Sequence, residues 1–100
     1  MRIIAIPPLR AFQAQYPDAG AGLRDWESTT KHSTFNQSLE VVQAFPNAKA
    51  INGERVRFAI GGGKYRLVVS YQWKAQIAYI KFIGTHEEYN KIDPKAVNNF

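Results

Sequence analysis

The sequence predicts an α+β fold: an N-terminal strand and helices packed on an antiparallel β-meander, followed by a short C-terminal helix. Three observations carry this reading. Apolar residues in the first half recur at helical spacing. Those in the second half alternate every other residue, and that alternation is broken at Gly61-Gly62-Gly63, a stretch suited to a hairpin turn. No linker, internal repeat or low-complexity segment interrupts the 100 residues, so 1–100 is expected to form a single domain.

Arg2–Ile6 reads as a strand, ended by Pro7-Pro8, which can serve as the first turn of a helix. Leu9, Phe12 and Tyr16 mark the inner face of that helix until Pro17 stops it. Asp18 is placed to cap a second helix carrying Leu23, Trp26 and Thr30 inward. Ser38 is placed to cap a third, short helix through Leu39, Val42 and Phe45, closed by Pro46. The aromatics of these segments are expected in the core. In the second half Val56, Phe58 and Ile60 alternate with Arg55, Arg57 and Ala59. Lys64–Tyr71 and Ile77–Ile83 supply two further strands, separated by a loop near Trp73–Gln76.

Register decides where the charge of these strands lies. A two-residue turn at Gly62-Gly63 sets Arg57 opposite Val68, Ala59 opposite Arg66 and Arg55 opposite Ser70. Arg55, Arg57, Lys64 and Arg66 then share one face, and Val56, Phe58, Leu67 and Val69 the other. An odd-length turn scrambles both faces. Pairing Val69 with Ile80 adds Tyr79 and Lys81 to the basic face. The sheet is thus expected to present one apolar side to the helices and one side studded with Arg, Lys and Tyr.

Composition narrows the chemistry. There are 13 Lys and Arg against 8 Asp and Glu, a net charge of +5, and no cysteine. A disulfide framework, a thiolate metal site and a cysteine nucleophile are therefore excluded. No apolar run approaches the ~20 residues of a membrane span, and Met1–Ile6 is too short for a secretory signal, so a soluble, cytoplasmic protein is expected. Residues 1–48 are electrically balanced; the whole excess lies in residues 49–91, a local field that favours polyanions such as nucleic acid.

Gly61-Gly62-Gly63-Lys64 lacks the earlier glycine of a phosphate-binding loop, and Tyr65 stands where that loop needs Ser or Thr; it reads as a turn. Thr85-His86-Glu87-Glu88 has the form of a capping box, Thr85 as N-cap and Glu88 at the third helical position. This puts His86 at the start of a helix beside the basic sheet, where an imidazole can transfer a proton. Only His32 and His86 are present and neither has metal-ligand spacing, so no metal or cofactor is expected.

Gly61–Leu67 together with Phe82-Ile83-Gly84-Thr85-His86-Glu87-Glu88-Tyr89-Asn90-Lys91-Ile92-Asp93 resembles the HigB family of bacterial toxins, the RelE-like toxic partners of toxin–antitoxin pairs. Arg2-Ile3-Ile4, Tyr16-Pro17-Asp18-Ala19, Leu23-Arg24-Asp25-Trp26 and Ala44-Phe45-Pro46 also fall where that family has similar segments. Two positions depart from it: Gly63 stands where the family usually has Asn, and Ala59 where Asn is also common. The resemblance implies a RelE-like domain acting as a ribosome-dependent endoribonuclease that cuts mRNA in the decoding site. It also implies neutralisation by a helix-turn-helix antitoxin of the HigA type. On that reading His86 is the candidate general base or acid, and Tyr89 stacks on a base or donates a proton. Lys64, Arg66 and Lys81 contact phosphate, and Arg55, Arg57, Tyr79 and Lys91 extend the RNA surface. Two other classes stay open at this point: a non-catalytic RNA-binding module, and a structural partner of a neighbouring protein.

Overall fold

In the computed structural model, which describes Met1–Phe100, the alternating segments form the centre of a five-stranded sheet. The strands are β1 (Arg2–Ile4), β2 (Ala48–Ala50), β3 (Arg55–Ile60), β4 (Tyr65–Gln72) and β5 (Ile77–Thr85), in the spatial order β1-β5-β4-β3-β2. β2–β3, β3–β4 and β4–β5 pair antiparallel, and β1 adds a parallel edge to β5. The helices are α1 (Ile6–Gln15), α2 (Gly20–Lys31), α3 (Ser38–Ala44) and α4 (His86–Tyr89), with a single 3-10 turn at Pro17–Ala19 between α1 and α2.

The central hairpin has the register expected of an even turn. Arg57 pairs with Val68, Ala59 with Arg66 and Arg55 with Ser70. Gly61, Gly62 and Gly63 all have positive φ (60°, 68° and 93°), a backbone that residues with a Cβ rarely adopt. Val56, Phe58, Leu67 and Val69 are fully buried in the main core with Leu23 and Trp26 of α2. Trp26 and Phe45 each meet Phe58 edge-on, at 5.7 and 5.1 Å between ring centres, which orients α2 and α3 on the sheet.

Several local expectations are corrected. β1 ends at Ile4 and Ile6 already belongs to α1, because Pro7 and Pro8 occupy the first helical turn where no N–H is needed. Asp18 does not cap α2. The 3-10 turn runs into that helix through a helical Ala19, so no extended N-cap exists. Asp18 instead accepts a 2.5 Å hydrogen bond from the Tyr65 hydroxyl and one of 3.4 Å from Lys64 Nζ. The bond to Asp18 pushes the Tyr65 phenol up to about 12. Ser38 is the first residue of α3 rather than its cap, which is Gln37. In that helix Val41 is buried and Leu39 is exposed, since Val41 and Phe45, four apart, set the inner face.

One irregularity shapes the open side of the sheet. Val69 pairs with Ile80 but Val68 pairs with Phe82, leaving Lys81 as an extra residue on β5. Beyond this bulge Phe82 turns to the face shared by Arg57 and Val68. Val68 and Phe82 are buried there, yet stand apart from the main core. The C-terminal segment is fastened over this side: Arg55 Nη1 donates to the carbonyls of Pro94 (3.0 Å) and Val97 (2.7 Å), Lys81 Nζ to Asn98 Oδ1 (2.8 Å), and the Asn99 amide to the Lys81 carbonyl (3.0 Å).

Candidate active site

Pairing across β2, β3, β4 and β5 aligns side chains in rows on the face away from α1 and α2. One row is Lys49, Arg57, Val68 and Phe82; the next is Ala59, Arg66 and Gly84. Arg66 therefore stands between two residues with almost no side chain. Gly84 could not be larger without a shift: a Cβ there would lie 2.6 Å from the Phe82 ring and 3.1 Å from a Glu88 carboxylate oxygen. Arg66 Nη1 donates to the Gly63 carbonyl at 2.6 Å, which aims the guanidinium along the sheet.

The short helix α4 is set across this row. Thr85 Oγ1 accepts from the Glu88 amide at 3.1 Å and Glu88 Oε1 accepts from the Thr85 amide at 2.8 Å, so the capping box read in the sequence is present. The His86 amide donates to the Lys64 carbonyl at 2.8 Å, tying the start of α4 to the end of the hairpin. Tyr89, one turn on, packs its ring 6.2 Å from Phe82.

These placements enclose a cleft of about 300 Å³ lined by Lys49, Arg57, Arg66, His86 and Tyr89, with Ala50 and Ile51 as its apolar edge. Lys49, Arg57 and Arg66 take part in none of the ion pairs of the molecule. Burial, then the neighbouring Arg57, pull the Arg66 guanidinium below the ordinary arginine value, while Tyr89 acts the other way. An arginine so placed still carries its charge. Three unpaired cations around an imidazole and a phenol can bind a phosphodiester and offer it two proton-transfer groups. No group of three or more His, Asp or Glu is positioned to hold a metal ion.

Of the residues expected from sequence, Arg57, Arg66, His86 and Tyr89 meet in the cleft. The others lie outside its lining. The Lys64 side chain points to Asp18 and only its carbonyl reaches α4. The Arg55 and Lys81 side chains are engaged by the C-terminal segment, and Lys81 also lies 5.4 Å from the Tyr79 ring centre. Lys91 is exposed just after α4. Sequence reasoning missed Lys49, Ala50 and Ile51. Lys49 and Ala50 lie on a strand of only three residues, with Ile51 just beyond it, and the segment sits between Pro46-Asn47 and Asn52-Gly53, which mark loop. The one available signal was a lysine between small residues in the charged half of the chain.

A protein-family model described as HigB_toxin, RelE-like toxic component of a toxin-antitoxin system, matches residues 19–92. That span holds every residue of the cleft. No curated protein matches the chain.

Proposed function

The chain belongs to the HigB family of RelE-like toxic components of toxin–antitoxin systems, and from that premise we propose that it is a ribosome-dependent endoribonuclease which cuts mRNA in the decoding site. The observation that supports this reading best is the convergence of Lys49, Arg57, Arg66, His86 and Tyr89 on one cleft.

RNA carries its own nucleophile. Attack of a 2′-oxygen on the adjacent phosphorus forms the O2′–P bond and breaks the P–O5′ bond. The products are a 2′,3′-cyclic phosphate and a 5′-hydroxyl. The protein must align the attack, take the proton from the 2′-hydroxyl, return one to the leaving O5′, and stabilise the charge on the phosphorane. His86 and Tyr89, adjacent on one helical turn, are the pair for the two proton transfers. Arg66 supports the phosphorane from its open position between Ala59 and Gly84. Arg57 and Lys49 hold flanking phosphates, and Ile51 offers an apolar edge to a base. Lys64 contributes through its carbonyl, which fixes α4.

In this role the protein is neutralised by a HigA-type helix-turn-helix antitoxin. The test is induction without antitoxin, followed by mapping of mRNA 5′ ends. Growth arrest with new ends inside translated regions is expected. Normal growth at verified expression of folded protein counts against the reading.

A further inference from the structure

The bulge at Lys81 decides which side chains of β5 reach the cleft. Had the register of the Val69–Ile80 pair continued toward Thr85, Leu67 would face Phe82 and Arg66 would face Ile83. Phe82 would then pack beneath the helices, and a branched apolar side chain would crowd the cleft's central arginine. The extra residue reverses both placements. Ile83 pairs with Leu67 and packs against the main core, while Phe82 and Gly84 come to the cleft side of the sheet.

Phe82 is buried, yet it belongs neither to the main core nor to the lining of the cleft. Its ring reaches along the strand over Gly84, where a Cβ would meet Phe82 Cζ at 2.6 Å and Cε2 at 3.1 Å. The Tyr89 ring lies 6.2 Å from it, tilted by 57°. The hydrogen bonds that anchor α4 involve Thr85, His86 and Glu88, and none of them reaches that ring. Tyr89 is half-buried on a helix of one turn, so packing sets the direction of its side chain, and Phe82 is the aromatic neighbour it packs on. We infer that Phe82 is a positioning residue: delivered by the bulge, it aims the Tyr89 ring into the cleft. The inference rests on the RNA-cutting reading and adds what holds one of its proton-transfer groups in place. Such aim matters, because a displacement of about 1 Å at a reacting group can cost roughly 10²-fold in rate.

The test is a double-mutant cycle on the full chain, with cutting of ribosome-bound mRNA measured per folded molecule. Phe82→Leu keeps a large apolar side chain but removes the flat ring. It is expected to lower kcat about 10–100-fold while KM stays within about twofold. In a Tyr89→Ala background the same change should cost less than about twofold, because the group it aims is gone. Val68→Ala trims the buried residue paired with Phe82 but outside the lining of the cleft. It should lower Tm and leave the cutting rate within about twofold of wild type. A wild-type rate in Phe82→Leu overturns the inference. So do equal losses from Phe82→Leu with and without Tyr89, or an equal loss in Val68→Ala, which marks a general packing effect. Wild-type cutting by Tyr89→Ala overturns it as well and leaves the RNA-cutting reading standing. If the wild-type protein cuts no RNA, that reading falls by itself, and NMR of the free protein decides the positioning. Tyr89 ring signals, assigned with Tyr89→Phe, should shift in Phe82→Leu; unchanged signals overturn the inference.

Discussion

The His86 amide donates to the carbonyl of Lys64 at 2.8 Å, so the helix bearing two candidate proton-transfer groups hangs from the end of the central hairpin. Its other support, at the same end, is the reciprocal Thr85–Glu88 capping box. A four-residue helix has too few internal hydrogen bonds to hold itself, so these three contacts decide where His86 and Tyr89 lie. His86→Ala keeps the backbone contact and removes only the imidazole. Cleavage is expected to fall by about 10²–10⁴-fold with ribosome association nearly unchanged. A wild-type rate in single-turnover assays moves the proton-transfer role to Tyr89 or Glu87.

Thr85→Ala separates the scaffold from the chemistry. Loss of an N-cap costs about 1 kcal/mol, which lowers Tm by roughly 4–8 °C in a chain of this size. The cutting rate per folded molecule should drop less than in His86→Ala. Thermal melts and rates measured on the same preparation check the order.

Arg57 and Arg66 are like charges on neighbouring strands, and Arg57 contributes to the lowered proton affinity of Arg66. Arg66→Ala should reduce cleavage roughly 10²–10³-fold, by analogy with a lost oxyanion donor, while the fold survives. Arg57→Ala is expected to impair cutting yet raise stability by about 0.2–1 kcal/mol through relief of repulsion. Denaturant melts of both variants test this opposition.

Arg55 is expected to behave differently from Arg57 although the two alternate on one strand. Its guanidinium holds the Pro94 and Val97 carbonyls. Arg55→Ala should therefore destabilise the protein by about 1.5–3 kcal/mol, the range for hydrogen bonds to a charged group. Its cutting rate per folded molecule should stay closer to wild type than that of Arg57→Ala. An unchanged Tm with lost cleavage would return Arg55 to the RNA surface.

Acid should loosen the α1–α2 contact. Hydrogen bonds from Arg10 hold the Glu27 carboxyl below the ordinary range; burial opposes them and Lys31 adds to them. The folded state thus binds this proton less readily than the unfolded state. The stability from Glu27 is fully present above the unfolded value, about 4.3, and is lost as pH falls through the lower folded value. Glu27→Gln should lower Tm at neutral pH, with the difference from wild type shrinking as the pH is brought down through this window.

Much of this architecture is legible in the sequence for identifiable reasons. The hairpin register follows because only an even turn at the glycines keeps Val56, Phe58, Leu67 and Val69 together, and the capping box is a purely local pattern. The residues that misled are those whose role is set by distant partners. Asp18 looks like a cap until Tyr65 and Lys64 claim it. Lys81 alternates cleanly along β5, and nothing local announces that Val68 skips it. Arg55 and Arg57 are indistinguishable by spacing, and only the returning C-terminal segment tells them apart. Lys49 lies on a strand too short to show a period, so the third cation of the cleft becomes visible only when β2 pairs with β3.

The most direct test of the cleft is a single-turnover reaction with ribosomes carrying a defined, end-labelled mRNA. Wild-type protein should cut only when the ribosome is present, leaving a 2′,3′-cyclic phosphate and a 5′-hydroxyl, and Arg66→Ala and His86→Ala should each slow that cut by at least about a hundredfold at saturating enzyme. Intact mRNA with saturating wild-type protein, or equal cutting by a folded variant lacking both Arg66 and His86, would contradict the account.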